Sequence, residues 1–285
     1  MKKRIKLSDV TTYKFGGICG NFYEITDINE LKTINNHLGN KETFILGKGS
    51  NVVFSDKKFN GNVIRPNFDK IIYDKDQQQV QVGSGAYLPD ISRYYKSKNL
   101  GNCEFLIGIP GSLGGAVKMN AGSYGFEISD ILLSLEVFDF KTQTNERMDK
   151  KDLNFSYRRS ANLDNKIVTS AILSAVEVDP LLIKKKMKEY TAYRKKTQPA
   201  GIYNAGSVFK NTDDYSAGEL IDNAGLKGYK IDGVKVSNKH ANFFVASKDS
   251  KAKSLYDLVN YVKDEVHKKY GVYLEEEILF VGDFH

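Results

Sequence analysis

The 285-residue sequence predicts a protein of mixed helix and strand. Three observations carry that expectation. In the first third of the chain, short β-branched runs alternate with isolated helix patterns. The turn Gly47-Lys48-Gly49-Ser50 is followed by a strand pattern, not by a helix. The run 106–125 packs six glycines and a proline among apolar residues. A flexible linker would be rich in glycine and serine and free of core residues. This run instead spaces buried-type residues with positions where only glycine lets the backbone approach a neighbour closely. A main chain of this kind wraps a large rigid ligand, so the first part of the chain reads as a cofactor-binding domain.

Taken in order, residues 21–25 read as a strand. Asp27 and Glu30 form a capping box that opens a helix over 28–38, and Gly39 ends it. Residues 43–46 and 51–55 are strands on either side of the Gly47–Ser50 turn. A strand at 80–82 precedes a helix from Pro89 to about Lys98, stopped by Gly101. Residues 131–140 and 166–178 alternate and are β-branched, hence strands, and 155–160 is strand-like. Asp179-Pro180 opens a basic amphipathic helix that runs to about Lys196. Gln198-Pro199 follows, and a domain boundary is expected there. Beyond it the pattern gives a loop over 200–206, a strand at 207–210, a helix capped by Ser216 with Glu219, and a hairpin region over 233–246. A helix over 254–270 carries Leu255, Leu258, Val259, Val262 and Val266 on one face and ends at Gly271. A final strand is expected over 273–281.

Hydrophobic residues at 41% and charged residues at 27% are those of a soluble globular chain. Cys19 and Cys103 lie far apart and outside any CxxC pair, which suggests neither a disulfide framework nor a zinc site and fits a reducing cytosolic compartment. The basic start has no apolar core behind it, so no signal peptide is expected. No stretch approaches the roughly 18 apolar residues of a membrane span. The net charge of +7 comes from dispersed lysines. These read first as a solvated surface and second as an attraction for small polyanions; nucleic acid is not expected.

The Gly47–Asn51 turn offers successive backbone N–H groups, the Ser50 hydroxyl and the Asn51 amide. It reads either as an ordinary tight turn or as a concave site for a pyrophosphate. The Rossmann fingerprint is absent, since a strand follows and no third glycine arrives in step. The P-loop pattern is absent as well.

Six motifs occur in order: LGKGSNVVFSD (46–56), GIPGSLGGAVKMNAGSYG (108–125), FSYRRS (155–160), NAGSVFKN (204–211), VSNKHANFF (236–244) and LEEEILFVG (274–282). Together with TTYKFGG at 11–17, the series resembles the UDP-N-acetylenolpyruvoylglucosamine reductase family over nearly the whole chain. Two departures from the family pattern, Ile18 with Cys19 and Thr212, touch turn geometry more than chemistry. The short spacer between Ser160 and Lys166 resembles the shorter class, which lacks an inserted loop whose tyrosine closes over the substrate.

The resemblance implies an α+β protein: an FAD-binding domain of the vanillyl-alcohol-oxidase type over 1–197, in two subdomains of about 1–66 and 67–197. A small α+β substrate-binding domain would follow over 198–285, its last strand returning to the active site. It implies a cytoplasmic, monomeric flavoenzyme of peptidoglycan synthesis that uses NADPH to reduce the enolpyruvyl ether of UDP-N-acetylglucosamine, by hydride transfer from reduced FAD. FAD would be held by Gly47, Lys48, Gly49, Ser50 and Asn51 and by Ile109, Pro110, Gly111, Ser112, Gly114, Gly115, Ala121 and Gly122. Arg158 would meet the charge developing on the substrate carboxylate, Ser207 would deliver the proton, and Glu277 would act on the carboxylate beside Arg158. Tyr157 is implied to lie against substrate or flavin, with a core role as the alternative. Asn211 would contact the UDP portion, with helix capping as the alternative. His240 is implied to be structural or near ligand, and no metal is expected. A flavin oxidase and a flavin- or nucleotide-sensing protein with a decayed site are the rival readings. The first is opposed by the serine, arginine and terminal glutamate motifs, and the second by the intactness of Arg158, Ser207 and Glu277.

Overall fold

The computed structural model describes residues 2–199, 201, 203–212 and 214–285. Of the loop expected over 200–206, Ala200 and Ile202 lie outside the described residues. The strands and helices in chain order are β1 (Lys2–Lys6), β2 (Ile18–Ile25), α1 (Ile28–Leu38), β3 (Thr43–Ile45), β4 (Val52–Phe54), β5 (Phe59–Pro66), β6 (Ile71–Asp74), β7 (Gln79–Gly83) and α2 (Leu88–Ser97). Next come α3 (Leu113–Lys118), β8 (Gly122–Ser123), β9 (Phe126–Glu127), α4 (Ile128–Ile131), β10 (Leu132–Asp139), β11 (Thr144–Asp149) and β12 (Lys166–Ser174). The chain closes with α5 (Pro180–Thr197), α6 (Ala217–Asn223), β13 (Lys230–Ile231), β14 (Val234–Val236), β15 (Phe244–Ala246), α7 (Ala252–Tyr270) and β16 (Leu279–Val281). Among the described residues, no helix is long and apolar enough to cross a membrane.

The chain divides into two units. One comprises residues 1–3, 21–48 and 61–194; the other comprises 4–20, 49–60 and 195–285. The first is built on an antiparallel sheet in the order β11-β10-β12-β7-β6. Alternation along β12 buries Ile167, Ala171 and Leu173. The last two join Val80, Val82, Ile91, Tyr95, Leu106, Leu113 and Val117 in one core, with α3 lying against β7 and β12. A satellite core packs Leu31, Ile34 and Leu38 of α1 on Tyr23, Ile25, Ile64, Phe138 and Ile167. Helix α1 starts where its capping box forms: the Asn29 N–H donates to Asp27 Oδ1 at 2.7 Å, and the Asp27 N–H to Glu30 Oε2 at 3.3 Å. Such a cap stabilises a helix by about 1 kcal/mol. Helix α5 has the expected bounds, but it buries only the narrow stripe Ile183 and Met187, leaving Leu181 and Leu182 exposed.

The second unit wraps a three-stranded sheet, β13-β14-β15, with α6 and α7. All five apolar residues expected on one face of α7 are buried, and Gly271 closes the helix in the left-handed conformation at φ +69°. Strand β4 enters this unit by pairing in parallel with β16, Val52 opposite Leu279 and Phe54 opposite Val281.

Candidate active site

In the first unit, the two glycine-rich segments meet. A Cβ on Gly47 would stand 2.4 Å from Ser112 Oγ, and one on Gly114 would stand 3.1 Å from Ser84 Cβ. The segment is fastened to the loop after β7: the Leu113 N–H donates to Ala86 O, the Gly114 N–H to Ser84 O at 2.8 Å, and the Leu88 N–H to Gly111 O. Gly111 takes φ +141°, which favours glycine. Ile109 is half-buried here, Pro110 and Gly115 are exposed, and the Ala121 N–H closes α3 on Ala116 O. The Ser84 hydroxyl is buried with no hydrogen-bond partner among the described residues, an arrangement native proteins usually avoid.

Lys48 belongs to the same unit. Burial, and then the charge of Arg65, push its ammonium below the ordinary lysine pKa, with Asp69, Glu24 and Asp90 partly offsetting. A half-buried cation pair of this kind gains from an anion. An unsatisfied buried hydroxyl, close-approach glycines and a stressed cation together suit the residues to a pyrophosphate-bearing cofactor. Gly83-Ser84-Gly85 and Arg65 are additions to the residues expected from sequence. The Gly-Ser-Gly spacing at the end of β7 was the available signal.

The strand-like reading of 155–160 is corrected. Ser156 to Arg159 form a tight turn, with the Ser156 N–H on Arg159 O at 3.0 Å and the Arg159 N–H on Ser156 O at 3.1 Å. Arg158 sits at φ +54°, a conformation that costs a non-glycine residue roughly 1 kcal/mol. Two anchors impose it. The Asn120 side-chain amide donates to Ser156 O at 3.2 Å and to Glu127 Oε2 at 2.7 Å. The Ser160 N–H and hydroxyl both reach Lys118 O. The turn directs Arg158 inward, its side chain 17% exposed and 3.6 Å from Glu127 Oε1, while Arg159 lies in solvent. Arg158 also reaches Gly122 O at 3.5 Å and lies over the Tyr157 ring at 4.7 Å. Tyr157 itself is 46% exposed, so it is not core.

In the second unit, Gly49 takes φ +67°, and a Cβ there would stand 2.2 Å from Val10 O. Ser50 and Asn51 follow it, both half-buried. Asn51 Nδ2 donates to Glu277 O at 2.8 Å, and the Leu279 N–H donates to Asn51 O at 2.9 Å. The Glu277 N–H reaches Val208 O at 2.8 Å. The structure thus brings Asn51, the Ser207–Val208 segment and Glu277 together from three distant motifs.

Neither expected strand here is regular. Ser207 and Phe209 form single bridges to Phe243 and Glu276, and the last strand shortens to Leu279–Val281. A buried asparagine supplies what a strand partner would: Asn242 Nδ2 donates to Phe209 O at 2.8 Å, and its Oδ1 accepts from the Phe209 N–H at 2.9 Å. Asn242 is a positioning residue beyond those expected from sequence.

The three glutamates differ in setting. Glu275 pairs with Lys210 and Glu276 with Lys263 at 2.7 Å, and Glu277 is half-buried, its backbone N–H and C=O both hydrogen-bonded. Asn211 caps α6, its Oδ1 accepting from the Ala217 N–H at 3.1 Å. The His240 ring lies 4.8 Å from that of Phe243, tilted by 58°, and burial, then Lys227, lower its pKa. Cys19 and Cys103 are buried thiols that form no disulfide; burial pushes the Cys103 thiol well up.

Residues 23–144 match the FAD binding domain family, and the cradle around Gly47, Ser84 and Ser112 falls in that span. The chain is an FAD-binding oxidoreductase. Residues 198–281 match the C-terminal domain of UDP-N-acetylenolpyruvoylglucosamine reductase. The chain is 36% identical to the UDP-N-acetylenolpyruvoylglucosamine reductase of Orientia tsutsugamushi strain Ikeda, covering 99% of this chain and 94% of that protein. It is 37% identical to the enzyme of the same name from Halalkalibacterium halodurans, covering 97% and 93%. The crystal structure of the Thermus caldophilus reductase superposes with a TM-score of 0.86 at 33% identity, covering 99% of each chain. The chain belongs to the UDP-N-acetylenolpyruvoylglucosamine reductase family.

Proposed function

We propose that this protein reduces the enolpyruvyl ether of UDP-N-acetylglucosamine to UDP-N-acetylmuramate, with NADPH as the reductant, as a cytoplasmic, monomeric enzyme of peptidoglycan synthesis. Residues 1–197 serve the cofactor and supply Arg158 to the substrate, and 198–285 serve the substrate, although residues 4–20 and 49–60 fold with the latter unit. Family membership over nearly the whole chain supports the reading. The observation that carries the chemistry is the convergence of Asn51, Ser207–Val208 and Glu277 in the second unit.

FAD, held by the residues around Gly47, Ser84 and Ser112, would supply the hydride chemistry between NADPH and the terminal vinyl carbon of the substrate. Arg158 holds the carboxylate, which is borne by the carbon adjacent to the hydride acceptor; its planar guanidinium matches a carboxylate bidentately and stabilises the negative charge that develops there. Glu277 donates or directs a hydrogen bond to the same carboxylate. Ser207 gives its hydroxyl proton to the neighbouring carbon. A serine hydroxyl is a weak acid, so the acceptor must be strongly basic and the proton must be replaced by a relay. General acid catalysis of this kind contributes about 10²–10⁴-fold.

The test is an anaerobic sequence of spectra. Purified protein shows bound flavin, NADPH bleaches it, and substrate restores the colour. Ser207→Ala is expected to bleach at the wild-type rate and to recover at least about a hundredfold more slowly, with Ser207→Cys intermediate. A protein that neither holds nor can be reconstituted with FAD ends the reading. Equal recovery in wild type and Ser207→Ala removes Ser207 from its role.

A further inference from the structure

A second cleft, of about 690 Å³, lies wholly within the second unit and is lined by Arg4, Lys6, Lys14 and Lys58, with Asp56 as its carboxylate. Its cations come from local sequence: the period of two along β1 puts Arg4 and Lys6 on one face. Lys57, next in the chain to Lys58, is taken by Asp283 at 2.6 Å. Arg4, Lys6 and Lys58 have no ion-pair partner among the described residues, and Lys14 reaches only Asp9 O at 3.5 Å. Asp56 does not neutralise them fully, because its Oδ2 accepts from the Ala252 N–H at the start of α7 at 2.8 Å. There the helix dipole already offsets carboxylate charge.

Unpaired like charges around one concavity focus a positive potential. The floor is main chain: Gly16, Gly17 and Gly20 line the cleft, and a Cβ on Gly20 would meet nothing within 4 Å, so a ligand can lie against the backbone there. The volume is that of small-molecule sites, roughly 300–1,000 Å³. The cleft's lining shares no residue with the Asn51, Ser207–Val208 and Glu277 group of the same unit.

We infer that this cleft is a binding site for a phosphate-bearing small molecule with two or more negative charges. FAD-loaded, ¹⁵N-labelled protein, whose cofactor site is already filled, is titrated with inorganic pyrophosphate. Saturable shifts are expected at the amides of Gly16, Gly17 and Gly20, weakening as salt is raised. In the double variant Lys6→Glu with Lys58→Glu, pyrophosphate affinity is expected to fall by more than about tenfold, while flavin spectrum, melting temperature and reductase turnover stay at wild-type values. Phosphatidylglycerol vesicles form the second arm. Binding to vesicles without binding to pyrophosphate would assign the cleft to a lipid surface and overturn the inference. So would shifts confined to Gly47–Asn51, equal affinity in the double variant, or no saturable shift at millimolar pyrophosphate.

Discussion

Gly49→Ala separates two costs that are easily confused, backbone conformation and space. Gly49 and Gly271 have nearly the same φ, +67° and +69°, so alanine at either position carries the left-handed penalty of roughly 1 kcal/mol. They differ in what a Cβ would meet. At Gly271 nothing lies within 4 Å, whereas at Gly49 Val10 O would be 2.2 Å away and Thr11 Cα 2.9 Å. Both obstacles are backbone, so no rotamer relieves them and the loop must move. Movement stretches the bonds that fix it, from the Thr12 N–H to Gly49 O at 3.0 Å and from the Thr12 hydroxyl to the same oxygen at 3.3 Å. Each contributes about 0.5–1.5 kcal/mol, and the total for Gly49→Ala comes to about 3 kcal/mol. At roughly 2–4 °C per kcal/mol for a chain of this size, Gly271→Ala should lower Tm by about 3 °C and Gly49→Ala by about 10 °C. Thermal melts followed by circular dichroism, with flavin release in parallel, measure both. Equal Tm losses in the two variants would show that the contact with Val10 does not constrain the turn and would refute the reasoning.

The remaining expectations concern Arg158 and the glutamates. Arg158→Gly relieves the strain at φ +54° but loses the contacts with Glu127, Gly122 O and the Tyr157 ring, so Tm should change little while flavin reoxidation by substrate is abolished; Arg159→Ala should leave both unchanged, and an activity loss confined to Arg159→Ala would show that the turn had been assigned the wrong arginine. Glu277→Gln should slow reoxidation while sparing reduction by NADPH. Glu275→Gln and Glu276→Gln, which each lose one lysine ion pair, should cost at most about 1 kcal/mol of stability and leave turnover intact; stopped-flow absorbance in both half-reactions decides among the three.

What could be read in the sequence was local. The capping box of α1, the apolar face of α7 and its glycine stop depend on residues within a few positions of one another, and all three take the expected form. Arg158 illustrates the limit. An alternating reading of 155–160 treats it as one face of a strand, but its positive φ is imposed by Asn120 and Lys118, about forty positions earlier. The second unit fails to declare its N-terminal parts for the same reason. Val52 pairs with Leu279 across most of the chain, and no periodicity reports such a distance. Gly83-Ser84-Gly85 signals itself only weakly by its spacing, because its neighbours read as the end of an ordinary strand; the buried Ser84 hydroxyl, unpartnered among the described residues, marks it as part of the cradle.

The candidate residues share a structural device that explains why they sit on irregular backbone and yet are fixed. Each segment is held by a side-chain amide from a remote motif: Asn120 on the Arg158 turn, Asn242 on the Ser207–Phe209 segment, Asn51 on Glu277. An amide carries both donors and an acceptor, so it can satisfy a main-chain N–H and C=O as a neighbouring strand would. Unlike a strand, it leaves the flanking residues out of any ladder. Ser207 and Arg158 are thereby free to turn away from sheet geometry without leaving buried backbone groups unsatisfied. Aspartate could not substitute, since an ionised carboxylate only accepts and each of these contacts needs a donor to a carbonyl. In this fold, asparagines within glycine-rich or apolar runs therefore mark the scaffold of the site, although none of these contacts need involve a ligand.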